Sequence, residues 1–293
     1  MTVRIAFIGF GEAGQTISRG LRTEPAQPSI RAYDILFGQP AGARLEAAAR
    51  ALGVAVARDP VDAVRGAELV FLAVTASSSL EAARSCLPGL SRAALFADIN
   101  SVSPQRKIDT AALVAATGAK YVDVAVMGAV APYLHKVPCL AGGPGAAAFA
   151  PLARALGMQV EVVSGDVGPA SAVKMFRSIV VKGLEALLVE SMTASAEYGV
   201  EDRVLASLQE TWPGIDWQKL SGYMLERAVR HGRRRAAEMR EVSETLRAIG
   251  IEPMMAAATA ARQQWVADLG VEAASEDRAT LVRALRKAME KPE

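Results

Sequence analysis

Apolar and polar residues follow two different spacings along the first half of the chain. Short apolar runs predict eight strands, at 3–8, 29–34, 54–56, 69–74, 94–98, 121–126, 137–141 and 159–162. Between the strands, apolar residues recur at helical spacing at 12–22, 42–51, 60–65, 78–86, 104–116 and 146–156. This alternation is typical of a doubly wound parallel sheet with helices on both faces.

A purely helical pattern begins after Pro169. Residues 170–198 form one apolar segment without an internal proline, which predicts a helix about 43 Å long that joins two domains. Further helices are predicted at 201–210, 216–219, 221–249, 253–269 and 275–290. The expected fold is therefore α/β, with a Rossmann-type doubly wound sheet at 1–165 and an all-α domain at 166–293 joined to it by the long helix.

The first strand leads directly into a glycine-rich segment that opens a helix. Its residues are Gly9, Phe10, Gly11, Glu12, Ala13 and Gly14. In dinucleotide-binding folds the first glycine permits a tight turn, the second lets a pyrophosphate approach, and the third allows close helix packing. The position between a strand and a helix makes the motif more specific than its letters alone. A tight turn without a ligand stays open as the alternative.

Asp34 ends the second predicted strand, 25 positions after Gly9. This spacing matches the carboxylate that binds the ribose hydroxyls of the adenosine, and its charge favours NAD over NADP. The alternative is an ordinary acid at the end of a strand. Arg31 and Arg44 are near in sequence and could receive a 2′-phosphate, so NADP is left open.

Ligands of such sheets bind at the carboxyl ends of the strands. The loops after Gly9, Asp34, Val74, Asp98 and Val126 are therefore expected to meet in one crevice. The predicted cofactor-binding residues in the later loops are Val74, Thr75, Ala76 and Asn100.

Composition narrows the class of protein. The 293 residues carry a formal net charge of +2, too near neutral to indicate a nucleic-acid partner. Cys86 and Cys139 lack metal or redox spacing and are expected to be buried free thiols in a reducing compartment, so no metal is predicted. No signal segment or membrane span is recognised, and the cytoplasm is the expected location.

Two loops after buried strands carry candidate chemistry. In Asp98–Pro104, Asn100 and Ser101 offer neutral donors and acceptors, although Ser103 and Pro104 are also typical of a simple helix start. In the Asp123–Ala129 loop, small residues would let a substrate carboxylate reach backbone N–H groups; a close-packed turn is the alternative.

Lys174 lies among apolar residues at the start of the long helix. Partial loss of hydration favours the neutral amine, which can accept a proton from an alcohol. The alternative is a lysine whose stem is packed and whose ammonium group reaches solvent.

Four of these segments, in this order and spacing, resemble the β-hydroxyacid dehydrogenases, which include 3-hydroxyisobutyrate and 6-phosphogluconate dehydrogenases. They are Gly9–Gly14, Asp98–Pro104, Asp123–Ala129 and the segment from Gly168 to Lys174. From Arg233 to Met255 the chain looks like a branch labelled phosphogluconate-dehydrogenase-like. The resemblance implies an NAD(P)-dependent dehydrogenase that acts on the CH–OH group of a small hydroxy acid or related alcohol. It also implies a homodimer.

The family's catalytic lysine falls on Lys174, and its substrate loops place Asn100, Ser101, Met127 and Gly128 near substrate. The chain departs from the family at several positions. Met127 replaces a serine, Ala129 replaces a glycine, Ser178 stands where asparagine is common, and a later lysine has no match near Glu238.

Ser178 and His231 complete the predicted substrate-binding set. His231 could contact substrate while Arg234 or Arg235 pairs with an anion. A solvated basic helix face is the alternative for this segment.

Two other functions stay open. An imine reductase on the same fold would reduce C=N, although the lysine at 174 argues against it. A non-catalytic NAD(P)-binding sensor or scaffold is kept open by the departures at Met127, Ser178 and Glu238.

Overall fold

The computed structural model describes residues 2–273 and 275–290. Their strands are β1 (Arg4–Ile8), β2 (Ser29–Tyr33), β3 (Ala55–Val56), β4 (Leu69–Leu72), β5 (Leu95–Asp98), β6 (Lys120–Val126), β7 (Cys139–Gly142) and β8 (Val160–Val162). The helices among them are α1 (Glu12–Leu21), α2 (Ala43–Ala51), α3 (Pro60–Val64), α4 (Ser79–Cys86), α5 (Pro104–Ala115), α6 (Val130–Tyr133) and α7 (Ala146–Ala155). The predicted Rossmann-type fold is confirmed.

The eight strands form one sheet in the order β3-β2-β1-β4-β5-β6-β7-β8. Strand order reverses between β1 and β4, which places a ligand crevice at their carboxyl ends. The sheet is not wholly parallel, because β7 runs antiparallel to β6. The β6–β7 connection holds only the short helix α6 and a 3₁₀ turn at Leu134–Lys136, whereas a parallel return needs a full crossover helix.

The central strands β1 and β4 are almost continuous apolar runs because the sheet is covered on both faces there. In β1, Ile5 and Phe7 belong to the core on one face, while Ala6 and Ile8 belong to the core on the other. Phe7 stacks on Phe71 of β4 with ring centroids 5.0 Å apart. This packing fixes the carboxyl ends of β1 and β4 side by side.

The chain divides into two compact units, Met1–Lys174 and Met175–Glu293, and the division falls inside α8 (Pro169–Glu197). We call them the sheet unit and the helical unit. The domain boundary expected from the sequence, between residues 165 and 166, lies in the loop that precedes α8.

In its described residues, the helical unit contains the rest of α8 and four further helices. They are α9 (Glu201–Thr211), α10 (Trp217–Ala248), α11 (Met254–Asp268) and α12 (Arg278–Met289). The separate helices expected at 216–219 and 221–249 are one helix, which corrects that prediction. Within the described residues, no helix has the length and apolar character needed to cross a membrane.

Candidate active site

The glycine-rich loop after β1 contains glycines with different roles. Gly9 has φ +91°, and a Cβ there would lie 2.3 Å from the Ala73 carbonyl oxygen. A Cβ on Gly14 would lie 2.8 Å from the Gly9 carbonyl oxygen, so this glycine lets α1 pack closely. The fold therefore requires Gly9 and Gly14.

Gly11 has no comparable packing reason. A Cβ at this position would meet no atom of the described residues within 4 Å. Gly11 is the N-cap of α1, and no side chain caps this helix end. The first N–H groups of a helix lack intrahelical partners and favour an anion. An open glycine at an uncapped helix end fits the pyrophosphate of a dinucleotide.

Asp34 holds the loop in place. Its Oδ2 accepts a hydrogen bond from the Phe10 N–H at 2.8 Å, and its Oδ1 accepts one from the Leu36 N–H at 3.0 Å. Each carboxylate oxygen can accept more than one hydrogen bond, so these contacts leave capacity for ribose hydroxyls. Arg31 is engaged with Asp62, donating to its carbonyl oxygen at 2.7 Å, whereas Arg44 is exposed on α2.

Asn100 links the loops that follow β4 and β5. Its Oδ1 accepts a hydrogen bond from the Val74 N–H at 2.8 Å, and its own N–H donates to Asp98 Oδ1 at 2.9 Å. The buried Nδ2 group has no hydrogen-bond partner among the described residues. An unpaired buried donor costs about 1–3 kcal/mol, which a ligand acceptor could offset. Thr75 and Ala76 lie just after Val74, where a short 3₁₀ helix, Ala76–Ser78, begins.

Ser101 and Lys174 come together within the sheet unit. The Lys174 Nζ donates a hydrogen bond to the Ser101 Oγ at 2.6 Å, although 73 positions separate the two residues. Ser103 acts as the N-cap of α5, because its Oγ accepts a hydrogen bond from the Arg106 N–H at 3.3 Å. The first part of this loop therefore meets the lysine, and its last part starts a helix.

A buried charge network lies beneath this pair. Asp98 and Asp123 are directly opposite each other on β5 and β6, and both are fully buried. The buried Lys107 of α5 lies between them, with its Nζ 3.2 Å from Asp98 Oδ1 and 3.6 Å from Asp123 Oδ1. The Tyr121 hydroxyl donates to Asp98 at 2.8 Å, and burial raises the pKa of Tyr121 well above its usual value.

Asp123 also fixes the start of α8. Its Oδ2 accepts hydrogen bonds from the Gly168 N–H at 3.1 Å, the Ser171 N–H at 3.1 Å and the Ser171 hydroxyl at 2.9 Å. This carboxylate thus connects the sheet to the helix turn that carries Lys174. Lys107, Tyr121 and Ser171 were not among the residues predicted from the sequence. The sequence pattern that could have indicated this network is a pair of acids at the ends of neighbouring strands, together with a lysine among the apolar positions of α5.

The second candidate loop follows β6. The Met127 N–H donates a hydrogen bond to the Pro138 carbonyl oxygen at 2.8 Å, so the base of the loop is closed by the residue that precedes β7. A Cβ on Gly128 would lie 3.5 Å from Val137, an ordinary contact, and Gly128 is exposed.

The two cysteine thiols are buried and free as expected, and burial raises the pKa of Cys86 and Cys139 to about 12.

Ser178 and His231 belong to the helical unit, so their substrate-binding roles stay predictions. Burial, and next the charge of Arg227, lower the pKa of His231 to about 4. The arginines expected to receive an anion already have partners. Arg234 pairs with Glu238 at 2.7 Å, and Arg235 pairs with Glu185.

Two family models match parts of the chain. Residues 4–101 match the family described as NADP oxidoreductase, coenzyme F420-dependent, and residues 196–266 match a domain of unknown function, DUF1932.

Solved structures match nearly the whole chain. A conserved hypothetical protein from Sinorhizobium meliloti 1021 is 38% identical, with a TM-score of 0.82 over 98% of this chain and 97% of the other. The conserved protein MTH1747, of unknown function and described as structurally similar to 3-hydroxyacid dehydrogenases, is 32% identical, with a TM-score of 0.76 over 91% of this chain and 97% of the other. The chain belongs to the β-hydroxyacid dehydrogenase-like superfamily.

A more distant member of this superfamily has the same fold. The 3-hydroxyisobutyrate dehydrogenase of Mycobacterium tuberculosis, in complex with L-serine, is 19% identical, with a TM-score of 0.76 over 98% of this chain and 100% of the other. The chain therefore has the fold of an NAD(P)-dependent oxidoreductase of the β-hydroxyacid dehydrogenase-like superfamily.

Proposed function

We propose that the protein is an NAD(P)-dependent dehydrogenase that interconverts the CH–OH group of a hydroxy acid, or a related alcohol, and the corresponding carbonyl. The observation that carries this proposal is the hydrogen bond between Lys174 Nζ and Ser101 Oγ, 2.6 Å long. Ser101 directly follows Asn100, whose amide lies beside the Val74 backbone at the carboxyl ends of β4 and β5. A proton-transfer group and a nucleotide loop thus belong to the same unit.

The glycine-rich loop Gly9–Gly14 would hold the pyrophosphate, and Asp34 the adenosine ribose. The same role in holding the cofactor is proposed for Val74, Thr75, Ala76 and Asn100. A bound nicotinamide supplies the acceptor or donor of the hydride at the carbinol carbon. Because Asp34 presents a negative charge, we propose a preference for NAD, while Arg44 is the exposed arginine that an NADP phosphate would need.

The chain's own residues then handle the proton. The neutral Lys174 amine accepts the hydroxyl proton as the C–O bond becomes a carbonyl, and the ammonium returns that proton in the reverse direction. Ser101 orients the substrate oxygen toward Nζ, and the unpaired Asn100 Nδ2 donates a hydrogen bond to the ligand. Gly128 offers exposed backbone to the substrate, and Met127 adds apolar bulk.

Replacement of Lys174 tests the proposal after a screen of hydroxy acids and of aryl and phosphorylated alcohols, followed by NAD(P)H absorbance. With the best alcohol, Lys174→Ala is expected to lower kcat by about 10²- to 10⁴-fold, because general-base catalysis is lost. Affinity for the nucleotide, measured by calorimetry, should change less than about twofold because Lys174 is not part of the glycine loop.

Lys120→Ala is the matched control, since Lys120 is exposed at the start of β6 in the same unit. It should retain full turnover. Unchanged turnover in Lys174→Ala would contradict the role of the lysine. Nucleotide binding without turnover of any alcohol would favour a sensor, and turnover confined to cyclic imines would favour an imine reductase.

A further inference from the structure

A group of charged side chains from α8 and α10 lies inside the helical unit. We call it the α8–α10 cluster; its members are Lys182, Glu185, Arg227, His231, Arg234, Arg235 and Glu238. Arg235 pairs with Glu185, which also accepts a hydrogen bond from Gln263 of α11 at 3.0 Å. Glu238 pairs with both Lys182, at 2.6 Å, and Arg234, at 2.7 Å. Glu185 is thus shared between a cation and a neutral amide, and Glu238 between two cations.

The neighbouring arginines of α10 nearly all have a carboxylate partner. Arg230 pairs with Glu226, and Arg233 lies 4.0 Å from Asp268. Arg227 is different, because no carboxylate of the described residues lies within ion-pairing distance of it. Its guanidinium lies 6.0 Å from the centre of the Tyr223 ring, which is a weak interaction at that distance.

Burial makes this unpaired charge unfavourable. Arg227 is half-buried, and its Nε has no hydrogen-bond partner among the described residues. A buried donor without an acceptor, and a half-buried cation that the described residues do not pair directly with a carboxylate, both raise the free energy of the folded state. Since the four cations of the cluster face only two carboxylates, an added anion would offset both penalties.

His231 lies one helical turn from Arg227 on α10. It follows Arg227 by four residues and precedes Arg234 by three, so the three side chains share one face of α10. Because the pKa of His231 is lowered to about 4, the ring is neutral at pH 7 and can donate one N–H without adding charge.

We infer that Arg227 and His231 form an anion site on the helical unit, which takes the carboxylate or phosphate group of a small molecule. The guanidinium offers two parallel N–H donors to such a group, and the imidazole offers a third. This inference does not depend on hydride transfer, because the anion can bind without cofactor or turnover.

The test is anion binding to the full chain without nucleotide. Inorganic phosphate and acetate are titrated at constant ionic strength while the two histidines, His135 and His231, are followed by NMR. Saturable binding is expected, and it should raise the pKa of His231 because the anion offsets the neighbouring arginine charges. His135 lies in the sheet unit and should not respond. Saturation by both probes identifies a general oxyanion site, and saturation by one identifies that class.

Arg227→Met should weaken binding about tenfold or more, since it removes the charge-assisted hydrogen bonds. Arg227→Lys keeps the charge but not the fork, so it should fold normally and bind with intermediate affinity. Arg203→Met, which changes an exposed arginine of α9, is the control and should bind like the original chain. Equal affinity in the Arg227 and Arg203 variants, or no saturation by either anion, would overturn the assignment.

Discussion

Asp34 serves the fold and, in our proposal, the cofactor as well. Its carboxylate accepts hydrogen bonds from the Phe10 and Leu36 N–H groups. A variant that removes the acceptors would therefore loosen the glycine loop and weaken every dinucleotide. A clean test of cofactor choice must keep an oxygen in place and remove only the charge.

Asp34→Asn comes nearest to this requirement, because its single amide oxygen can still accept the Phe10 hydrogen bond, while the Leu36 hydrogen bond is lost since the amide nitrogen cannot accept one. We expect NAD affinity to fall about tenfold while NADP affinity is retained or rises, since the charge that repels a 2′-phosphate is gone. Asp34→Ala should weaken both dinucleotides. Calorimetric titration with each nucleotide measures this, and an equal loss of both in Asp34→Asn would rule out the ribose role.

At the scale of elements, the start of α8 depends on one buried carboxylate. Asp123 accepts three hydrogen bonds from Gly168 and Ser171. The helix that follows carries Lys174 one turn further on, so the position of the lysine relative to Ser101 depends on this cap.

Asp123→Ala should lower the free energy of unfolding by about 3–5 kcal/mol, because it removes the helix cap together with one carboxylate partner of the buried Lys107. It should also lower kcat, because Lys174 would be displaced from Ser101. Urea denaturation and steady-state kinetics measure the two effects.

Asp59→Ala supplies the comparison, since Asp59 caps α3 through the Asp62 N–H at 2.7 Å and has no proposed catalytic role. It should lose stability and keep its kcat. If both variants retained full kcat, the cap would have no part in placing the lysine.

The elements were the most predictable level of the structure. All eight strands were predicted from apolar runs, and the central ones carry few polar residues because they are covered on both faces. The direction of β7 was not predictable from its own residues, since direction depends on the connection that precedes it. Gly222 lies inside α10, and a Cβ at this position would lie 2.4 Å from the Glu276 carbonyl oxygen. Packing therefore explains why this residue is a glycine, and the sequence alone does not reveal that reason.

The candidate site was only partly predictable for a related reason. Gly9–Gly14, Asn100 and Lys174 belong to local motifs, which can be recognised in one dimension. Lys107 was missed because its role comes from two aspartates on different strands. Arg227 was missed because it differs from the neighbouring arginines in having no carboxylate partner among the described residues, which the sequence does not show.

For the whole molecule, the two histidines make stability depend on pH. The pKa of both His135 and His231 is lowered, mainly by burial, from 6.5. The unfolded chain therefore binds more protons than the folded chain below that pH, so the free energy of unfolding falls as the pH falls from 6.5 toward 4. Glu185 acts in the opposite direction, because burial raises the pKa of its carboxyl group.

His231→Gln isolates one contribution. The variant should show a smaller loss of stability between pH 6.5 and pH 4 than the original chain, because one proton-linked group is gone. Denaturation curves at a series of pH values measure the difference. Identical slopes for the two proteins would mean that His231 titrates normally in the folded state.

The open space at Gly11 has a consequence for the evolution of the superfamily. Gly9 and Gly14 are held by packing, so a chain that loses either one also endangers its fold. No such penalty acts on residue 11, where selection for a bound nucleotide is the remaining reason to keep glycine. A lineage that abandoned the nucleotide would be free to drift at this one position, and residue 11 could then serve as a marker that separates nucleotide-binding relatives from descendants that retain only the fold.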